Sequence, residues 1–308
     1  MIHPWNQPVL DSLAGRLERL PHALLIHGPR GVGKLALALR AAQLLLCEGK
    51  QKPCDPCDAC RWFLAGNHPD FRRVEPEVLW QEPPEKPSIE IKIEQVRALA
   101  DFLGVVSHRG GRRVTLVHPA EHMNPSTGNA LLKGLEEPPG AAMFILVSHR
   151  PALLLPTIRS RCVSIPVGIP PRDAALKWLA GQGVKDAERR LAYAGGAPLR
   201  AVEQESVPLA PVHVREGIDP LAEALQKLAL DSALSAFGLP PKYQTTSARV
   251  ERGKAREWLA FARRMGQERL LSRHPLNPRL FSAAMLGALP TNEATGDEPP
   301  AGSAGGSG

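Results

Sequence analysis

The chain has 308 residues, of which 43% are hydrophobic, and a formal net charge of +7. This length predicts two or three domains, and the hydrophobic content is that of a globular protein with ample material for a core. No apolar stretch is long enough to cross a bilayer and the start of the chain does not look like a secretion signal, so we expect a cytoplasmic protein.

The first third of the chain alternates apolar strands with helical patterns. Ala23–His27 is a short apolar run that predicts a strand, and the run Lys34–Cys47 is dense in Leu and Ala and predicts a helix. A strand, a glycine-rich turn and a helix in this order open an α/β domain.

The turn between this strand and this helix predicts a phosphate-binding loop. Gly28, Gly31 and Gly33 let backbone N–H groups approach phosphate oxygens, and Lys34 can reach the terminal phosphates. A plain glycine turn is the alternative, and the lysine at this spacing argues against it. The loop is degenerate, because Leu35 stands where a hydroxyl ligates Mg²⁺ and an isobutyl group cannot.

Four of the five cysteines follow the predicted helix within a short segment: Cys47, Cys54, Cys57 and Cys60. Gaps of two residues suit a turn that directs thiolates at one tetrahedral ion, so we expect a structural Zn²⁺ held by all four. An Fe–S cluster and four unrelated thiols are the alternatives. We expect Cys162, far away in the sequence, to be a buried thiol.

The next predicted strand, Arg113–Val117, ends without the acids that a magnesium-dependent ATPase needs. An acid at its end should hold Mg²⁺ and a second should orient the attacking water, but the chain has His118 and Pro119 there. Glu121 lies two residues further on, and we expect a surface or capping acid. Nucleotide binding is therefore doubtful and turnover is not expected.

Further elements follow this pattern along the chain. A loop is predicted at Val78–Ser88; helices at Ile93–Leu103, Asn124–Glu137, Asp173–Ala180 and Asp186–Ala194; a strand at Met143–Ser148; a linker at Val207–Pro220; and a longest final helix at about Arg249–Ser272. In that last helix Trp258, Phe261, Ala262 and Met265 recur at helical spacing and predict a packing surface. The tail 291–308 is rich in Gly, Ser and Pro and predicts disorder.

Two arginines, Arg159 and Arg161, follow the strand Met143–Ser148. An arginine at a subunit boundary can stabilise charge on a nucleotide bound next door. From the residues alone, both are equally well explained as solvated surface charges.

Two segments together resemble the AAA+ clamp-loader subunits of bacterial DNA polymerase III. The first is the run Asn129–Pro139, and the second is the triplet Ser-Arg-Cys at 160–162. The resemblance covers roughly 1–205, and it is closest to the non-hydrolysing branch, which keeps that arginine but lacks the magnesium ligands.

The resemblance implies a domain order and a role. Residues 1–166 would form an AAA+ domain with a parallel sheet and the zinc module 47–60, residues 167–206 a helical lid, and 207–290 an all-α collar. The chain would act as a stator in a heteropentamer with delta and gamma/tau subunits, which loads the sliding clamp onto primed DNA. Arg161 would act in trans on a neighbour's ATP, as part of the polymerase III holoenzyme and without intrinsic ATPase activity. Arg200 would lie near a family sensor position.

Three other functions are weighed against this one. A motor subunit with unconventional Mg²⁺ ligands would hydrolyse ATP itself. A small-molecule P-loop kinase is disfavoured by the cysteine cluster and the helical last third. A nucleic-acid-binding finger built on the cysteines is disfavoured because no dense Arg/Lys helix lies beside them.

Overall fold

The structure is a computed structural model that describes residues 2–105, 107, 111–203, 218–245, 250–271 and 277–290. Contacts divide the chain into two compact units, Met1–Trp178 with Ala197–Arg200, and Leu179–Gly196 with Ala201–Gly308. The predicted tail and most of the predicted linker lie outside the described residues. The domain boundaries proposed from the sequence stay predictions.

The first unit is built on a parallel sheet of five strands in the order β2-β3-β4-β1-β5. The strands are β1 Ala23–His27, β2 Phe71–Val74, β3 Arg113–Val117, β4 Ala142–Ser148 and β5 Val163–Pro166. All seven residues of the central strand β4 are buried, as expected of a parallel sheet covered on both faces. This confirms the predicted α/β class.

The helices of the first unit cover the two faces of this sheet. They are α1 Gln7–Ala14, α2 Lys34–Leu46, α3 Asp58–Leu64, α4 Ile93–Gly104, α5 Pro125–Glu136 and α6 Pro156–Arg161. Ile145 of β4 packs in the same core as α1 and α2, whereas its neighbour Phe144 packs in the core of α4 and α5. Side chains alternate across a strand, so the sheet has one apolar core on each face.

Two strands were not predicted. β2 has exposed Arg72 and Arg73 in its middle, and β5 has only one residue that is partly buried, Ile165. Both lie at the edges of the sheet, where half-exposed positions carry no strong apolar pattern. β5 follows Arg159 and Arg161 in the chain, so β4 is not the last strand of the sheet.

The remaining helices are α7 Arg172–Gly181, α8 Ala187–Tyr193, α9 Pro198–Glu203, α10 Ile218–Ala236, α11 Ala255–Leu271 and α12 Pro278–Gly287. The final helix was predicted to be the longest, but α10 has 19 residues and α11 has 17. α10 also includes Pro220, which was assigned to the linker. A proline is tolerated in the first turn of a helix, because the N–H it lacks would have no partner there.

The second unit has its own apolar core between α10, α11 and α12. Trp258, Phe261, Ala262 and Met265 are all buried in it, which confirms the predicted packing surface. Asp231 of α10 is fully buried and accepts hydrogen bonds from the backbone N–H groups of Tyr243 (2.9 Å) and Thr245 (2.8 Å). These bonds hold the chain that follows α10 against the helix.

Candidate functional site

The three glycines of the predicted phosphate loop adopt backbone angles that favour glycine. The φ angles are +145° at Gly28, +83° at Gly31 and +85° at Gly33. A Cβ atom on Gly28 would lie 2.0 Å from the carbonyl oxygen of Val167, and one on Gly33 would lie 2.4 Å from the ring of His3. The loop therefore needs glycine for its backbone conformation and for close packing.

Lys34 is the first residue of α2 and is buried. Its Nζ donates a hydrogen bond to the carbonyl oxygen of Pro29, 2.5 Å away, within the same loop. Burial lowers the pKa of Lys34 to about 8, with Arg30 adding to the effect and Glu121 opposing it. A lysine held this way at the start of a helix can bind anions.

Two imidazoles, the buried His118 and the partly buried His149, lie near Lys34 just after β3 and β4. The rings of His118 and His149 meet edge to face with centroids 5.4 Å apart. Burial, together with the positive charges of Arg73 and Lys34, lowers the pKa of His118 to about 4. Burial and Lys34 likewise lower the pKa of His149 to about 3. Both rings are therefore neutral near pH 7 and bring no negative charge to the site.

Glu121 does not lie on the surface as expected. It is 4% exposed, and its carboxylate accepts the backbone N–H of His149 at 2.9 and 3.2 Å. This N–H follows the last residue of β4, so these bonds close the end of a strand and do not cap a helix. Glu121 also raises the pKa of Lys34, against the effect of burial. The sequence did not indicate that Glu121 is buried, because its burial depends on the turn Ala120–His122 in which it lies.

Two other segments of the first unit cover the loop. One contains Arg200, and the other, Trp5 with Asn6, was not predicted from the sequence. Trp5 Nε1 and Asn6 Nδ2 both donate to the carbonyl oxygen of Val32, at 3.0 and 2.9 Å. The Cγ atom of Arg200 lies 2.5 Å from the position of a Cβ on Gly31. Arg200, predicted near a family sensor position, thus lies beside the loop.

The four clustered cysteines converge on one point. Their sulfur atoms all lie within 4.8 Å of one another, with Cys47 Sγ 3.5 Å from Cys54 Sγ and 4.0 Å from Cys57 Sγ. A tetrahedral ion with Zn–S bonds of about 2.3 Å places its sulfurs about 3.8 Å apart. The residues therefore fit a metal ion with four thiolate ligands, and Cys60 completes the set.

Backbone N–H groups point at these sulfurs, as they do at metal-bound thiolates. Those of Gly49 and Cys54 donate to Cys47 Sγ, and that of Cys60 donates to Cys57 Sγ, at 3.3 to 3.4 Å. Burial opposes ionisation of Cys57, but the bonds from backbone N–H groups bring its pKa down to about 6. In the absence of metal, burial raises the pKa of Cys47 to about 12. A bound cation would reverse that effect.

The cysteine module is tied to α2 by a polar contact. Asp55 accepts hydrogen bonds from Arg40 Nη1 (2.5 Å) and from Gln43 Nε2 (2.9 Å). Both donors lie in the second half of α2, and the backbone N–H of Cys47 continues the helix by donating to the carbonyl oxygen of Gln43. The module therefore begins where α2 ends.

Arg161 is the last residue of α6, and its guanidinium is held within the chain. It makes an ion pair with Glu136, the last residue of α5, at 2.6 Å and donates to the carbonyl oxygen of Thr157 at 3.0 Å. Its side chain is still 35% exposed. Arg159 is also exposed. Cys162, expected to be a buried thiol, is only partly buried, and burial raises its pKa to about 11.

The predicted site residues fall into three groups within the first unit. The phosphate loop with Lys34 lies at the start of α2, the cysteines at its end, and Arg161 at the end of α6. No helix among the described residues is long and apolar enough to span a membrane.

Comparison with known proteins places these features in one family. Residues 8–169, more than half of the chain, match the family model described as DNA polymerase III, delta subunit. The chain is 44% identical over 209 residues to DNA polymerase III subunit delta′ of Pseudomonas aeruginosa, covering 65% of this chain and 60% of that protein. It is 38% identical over 213 residues to the subunit delta′ of Yersinia pestis, covering 68% of this chain and 59% of that protein. The chain thus spans less than two thirds of the length of these relatives.

A solved structure gives a weaker likeness. The DNA polymerase III gamma subunit-related protein of Thermotoga maritima is 18% identical, with a TM-score of 0.49 over 90% of this chain and 97% of that one. The match of the family model and the named relatives decide the assignment: this chain belongs to the DNA polymerase III delta-subunit family, and its relatives within that family are delta′ subunits.

Proposed function

We propose that this chain is a non-hydrolysing stator subunit of a DNA polymerase III clamp loader. It would stand in a heteropentamer with delta and gamma/tau subunits in the bacterial cytoplasm. The complex would use ATP to open the sliding clamp and place it on primed DNA. This chain would contribute Arg161 to the nucleotide of a neighbouring subunit and would not turn over ATP itself.

One observation carries the proposal: the positions that should hold Mg²⁺ bear no oxygen ligands. Leu35 follows the loop lysine, and His118 and Pro119 follow the last residue of β3. Phosphoryl transfer depends on a metal that neutralises charge and on a group that orients the nucleophile. Neutral imidazoles supply neither, so ATP hydrolysis in this pocket is disfavoured.

Arg161 is suited to act outside its own chain. It ends α6 with its guanidinium partly exposed, and the ion pair with Glu136 is itself exposed to solvent. An exposed ion pair of this kind is worth about 0–1 kcal/mol, so a phosphate group of a neighbour can displace Glu136 at little cost. Glu136 would keep the guanidinium extended toward α5 until the neighbour binds.

The cysteine cluster supports a structural metal, which we assign as Zn²⁺. Cys47, Cys54, Cys57 and Cys60 would fill a tetrahedral shell and leave no open position for a substrate. The ion would fold the inserted module onto the end of α2 and take no part in ATP chemistry.

A motor subunit is the second candidate, and Glu121 is the observation that favours it. This buried carboxylate lies near Lys34 and is the kind of ligand that Mg²⁺ uses. Its oxygens already accept the N–H of His149. A single carboxylate without the hydroxyl and the strand-end acids is a poor basis for catalysis.

The stator role is tested by ATPase assays of a loader reconstituted with variants of this chain. Arg161→Ala is expected to lower the DNA- and clamp-stimulated ATPase at least about tenfold, since arginines supplied in trans contribute larger factors in other ATPases. Arg159→Ala removes the same charge from the same helix and should leave the rate unchanged. Equal ATPase rates for wild type and Arg161→Ala in an intact complex would contradict the proposal that Arg161 acts on the nucleotide of a neighbouring subunit.

Glu136→Gln tests how Arg161 is held. Because the pair is weak, the variant should keep the ATPase rate or raise it by no more than about fivefold, the equivalent of 1 kcal/mol. Glu137→Gln removes the adjacent exposed charge and is the matched control. A severe loss for Glu136→Gln alone would mean that Glu136 is needed to position the arginine.

A further inference from the structure

Gln43 is a buried polar residue in the last turn of α2, where the helix leads into the cysteine module. It is only 2% exposed, and a polar side chain buried to this degree needs hydrogen-bond partners inside the protein. From Lys34 to Gln43 the helix rises about 14 Å. Gln43 is therefore not part of the phosphate loop, and its partners lie in the cysteine module.

The orientation of the Gln43 amide is fixed by its neighbours. Its Oε1 atom accepts a hydrogen bond from Arg40 Nη1 at 2.7 Å, and a guanidinium can only donate. The Nε2 atom therefore faces the other way, where it donates to Asp55 Oδ1 at 2.9 Å. An amide nitrogen carries two N–H groups, so one of them is left for a second acceptor.

That second acceptor is one of the four clustered sulfurs. Cys60 is 1% exposed, and its sulfur lies within 4.8 Å of the other three. Burial raises the pKa of Cys60, whereas a hydrogen bond from the Gln43 side chain acts to lower it, which is the effect of a donor on a thiolate. The backbone carbonyl oxygen of Gln43 also accepts the N–H of Cys47, at 2.9 Å. Gln43 thus contacts the first and the last cysteine of the set, and Asp55 between them.

These contacts suit the charge of the proposed metal site. A divalent ion with four thiolates has an excess of negative charge, which is costly to bury, and N–H groups directed at the sulfurs reduce that cost and orient the ligands. Cys47 and Cys57 receive such donors from the backbone. We propose that Gln43 is a positioning residue of the metal site, whose amide holds Cys60 and Asp55 in place and so strengthens metal binding. This inference rests on the Zn²⁺ proposed above.

The first test is the zinc affinity of the full-length chain, measured by competition with a chromogenic chelator. Gln43→Met keeps the length of the side chain but has no N–H groups, so zinc should bind about 10- to 100-fold more weakly. Gln43→Glu has the shape of glutamine but sets a carboxylate against Asp55 and the thiolate of Cys60, so it should weaken binding at least as much. Equal zinc affinity of wild type and Gln43→Met would overturn the proposal.

Gln95→Met is the matched control. Gln95 also makes two hydrogen bonds, accepting the N–H of Lys92 at 2.8 Å and donating to the carbonyl oxygen of Glu75 at 2.9 Å, but it lies in α4, outside the cysteine module. Its loss should leave the zinc affinity unchanged. The same loss of affinity in Gln95→Met and Gln43→Met would mean that any weakening of the fold releases zinc, against the proposal.

Cobalt substitution separates positioning of the ligand from general loosening. A hydrogen bond lowers the energy of the sulfur lone pairs, so its loss in Co²⁺-loaded Gln43→Met should move the sulfur-to-cobalt charge-transfer band to longer wavelength. Gln43→Glu carries the same test if Gln43→Met does not fold. Weaker binding with an unchanged band would contradict the proposal. Folded wild-type protein that binds no zinc would instead refute the metal site itself, and with it this inference, but not the roles proposed for the phosphate loop and Arg161.

Discussion

At the scale of single residues, the pocket near Lys34 combines groups that bind anions with groups that do not bind magnesium. Lys34 is retained and buried, but the neutral rings of His118 and His149 occupy the ends of the two central strands. Arg30 and Arg73 add positive charge around them, and Glu121 acts on Lys34 in the opposite sense. The local charge therefore favours a phosphate and opposes a divalent cation.

The buried imidazoles make a prediction about pH. The pKa of His118 is about 4 when folded, below its ordinary 6.5, so the unfolded chain takes up a proton that the folded chain does not. Stability is thus full above pH 6.5 and falls as the pH is lowered toward 4. His118→Asn should remove roughly 1.4 kcal/mol per pH unit from this slope between about pH 6 and pH 5.

Amide hydrogen exchange in β3 and β4 measures this effect locally, because it gives the free energy of opening of these strands. His149 will keep part of the slope in the variant, with burial and Lys34 lowering its pKa to about 3. A slope identical in wild type and His118→Asn would show that this histidine is already charged in the folded protein.

Some residues of the site could be predicted from the sequence and others could not. The glycines, Lys34 and the four cysteines stand in fixed patterns whose chemistry requires those residue types. The burial of Glu121 and the contacts of Trp5 and Asn6 with the loop could not be predicted, because they depend on how distant segments pack. No pattern in the sequence predicts a hydrogen bond between residues that are 26 or 28 positions apart.

At the scale of elements, α2 connects two sites of different character. Its first turn carries the phosphate loop, and its last turn leads into the cysteine module. Arg40 and Gln43 fasten the module through Asp55. Loss of the proposed metal should therefore loosen the end of α2 before it affects the loop at its start.

Cys54→Ser is expected to abolish metal binding, with about one zinc per chain in the wild type and near none in the variant. The thermal melting temperature should fall, because metal binding contributes directly to the folding of such modules. Metal analysis and calorimetry measure both quantities. Cys162→Ser removes a thiol outside the cluster and should keep the zinc. A folded wild-type protein without metal would refute the site.

α10, the longest described helix, was not assigned from the sequence. The central strands β1, β3 and β4 and the helices α2, α4, α5 and α11 were predicted, because burial on both faces or on one helical face leaves a clear apolar pattern. The edge strands β2 and β5 were missed for the opposite reason. β5 is stabilised by its pairing with β1, from Leu24 with Val163 to His27 with Pro166, and pairing of this kind is set by the fold and not by local sequence.

At the scale of the whole molecule, the two units have separate cores and are suited to separate tasks. The first contains the phosphate loop, the cysteine cluster and Arg161, and the second is a bundle of α10, α11 and α12. Only the first falls within the match of the family model. The role proposed for the first unit is therefore better supported than any role of the helical bundle.

The central claim is that this chain does not turn over ATP in its own pocket and works through that of a neighbour. The most direct measurement is phosphate release from Mg-ATP by the purified chain alone, with Lys34→Ala and Glu121→Gln measured beside it. We predict no release above background in all three proteins, and stimulated release once gamma/tau subunits are added. Steady release by the isolated chain that Lys34→Ala and Glu121→Gln both abolish would contradict the account.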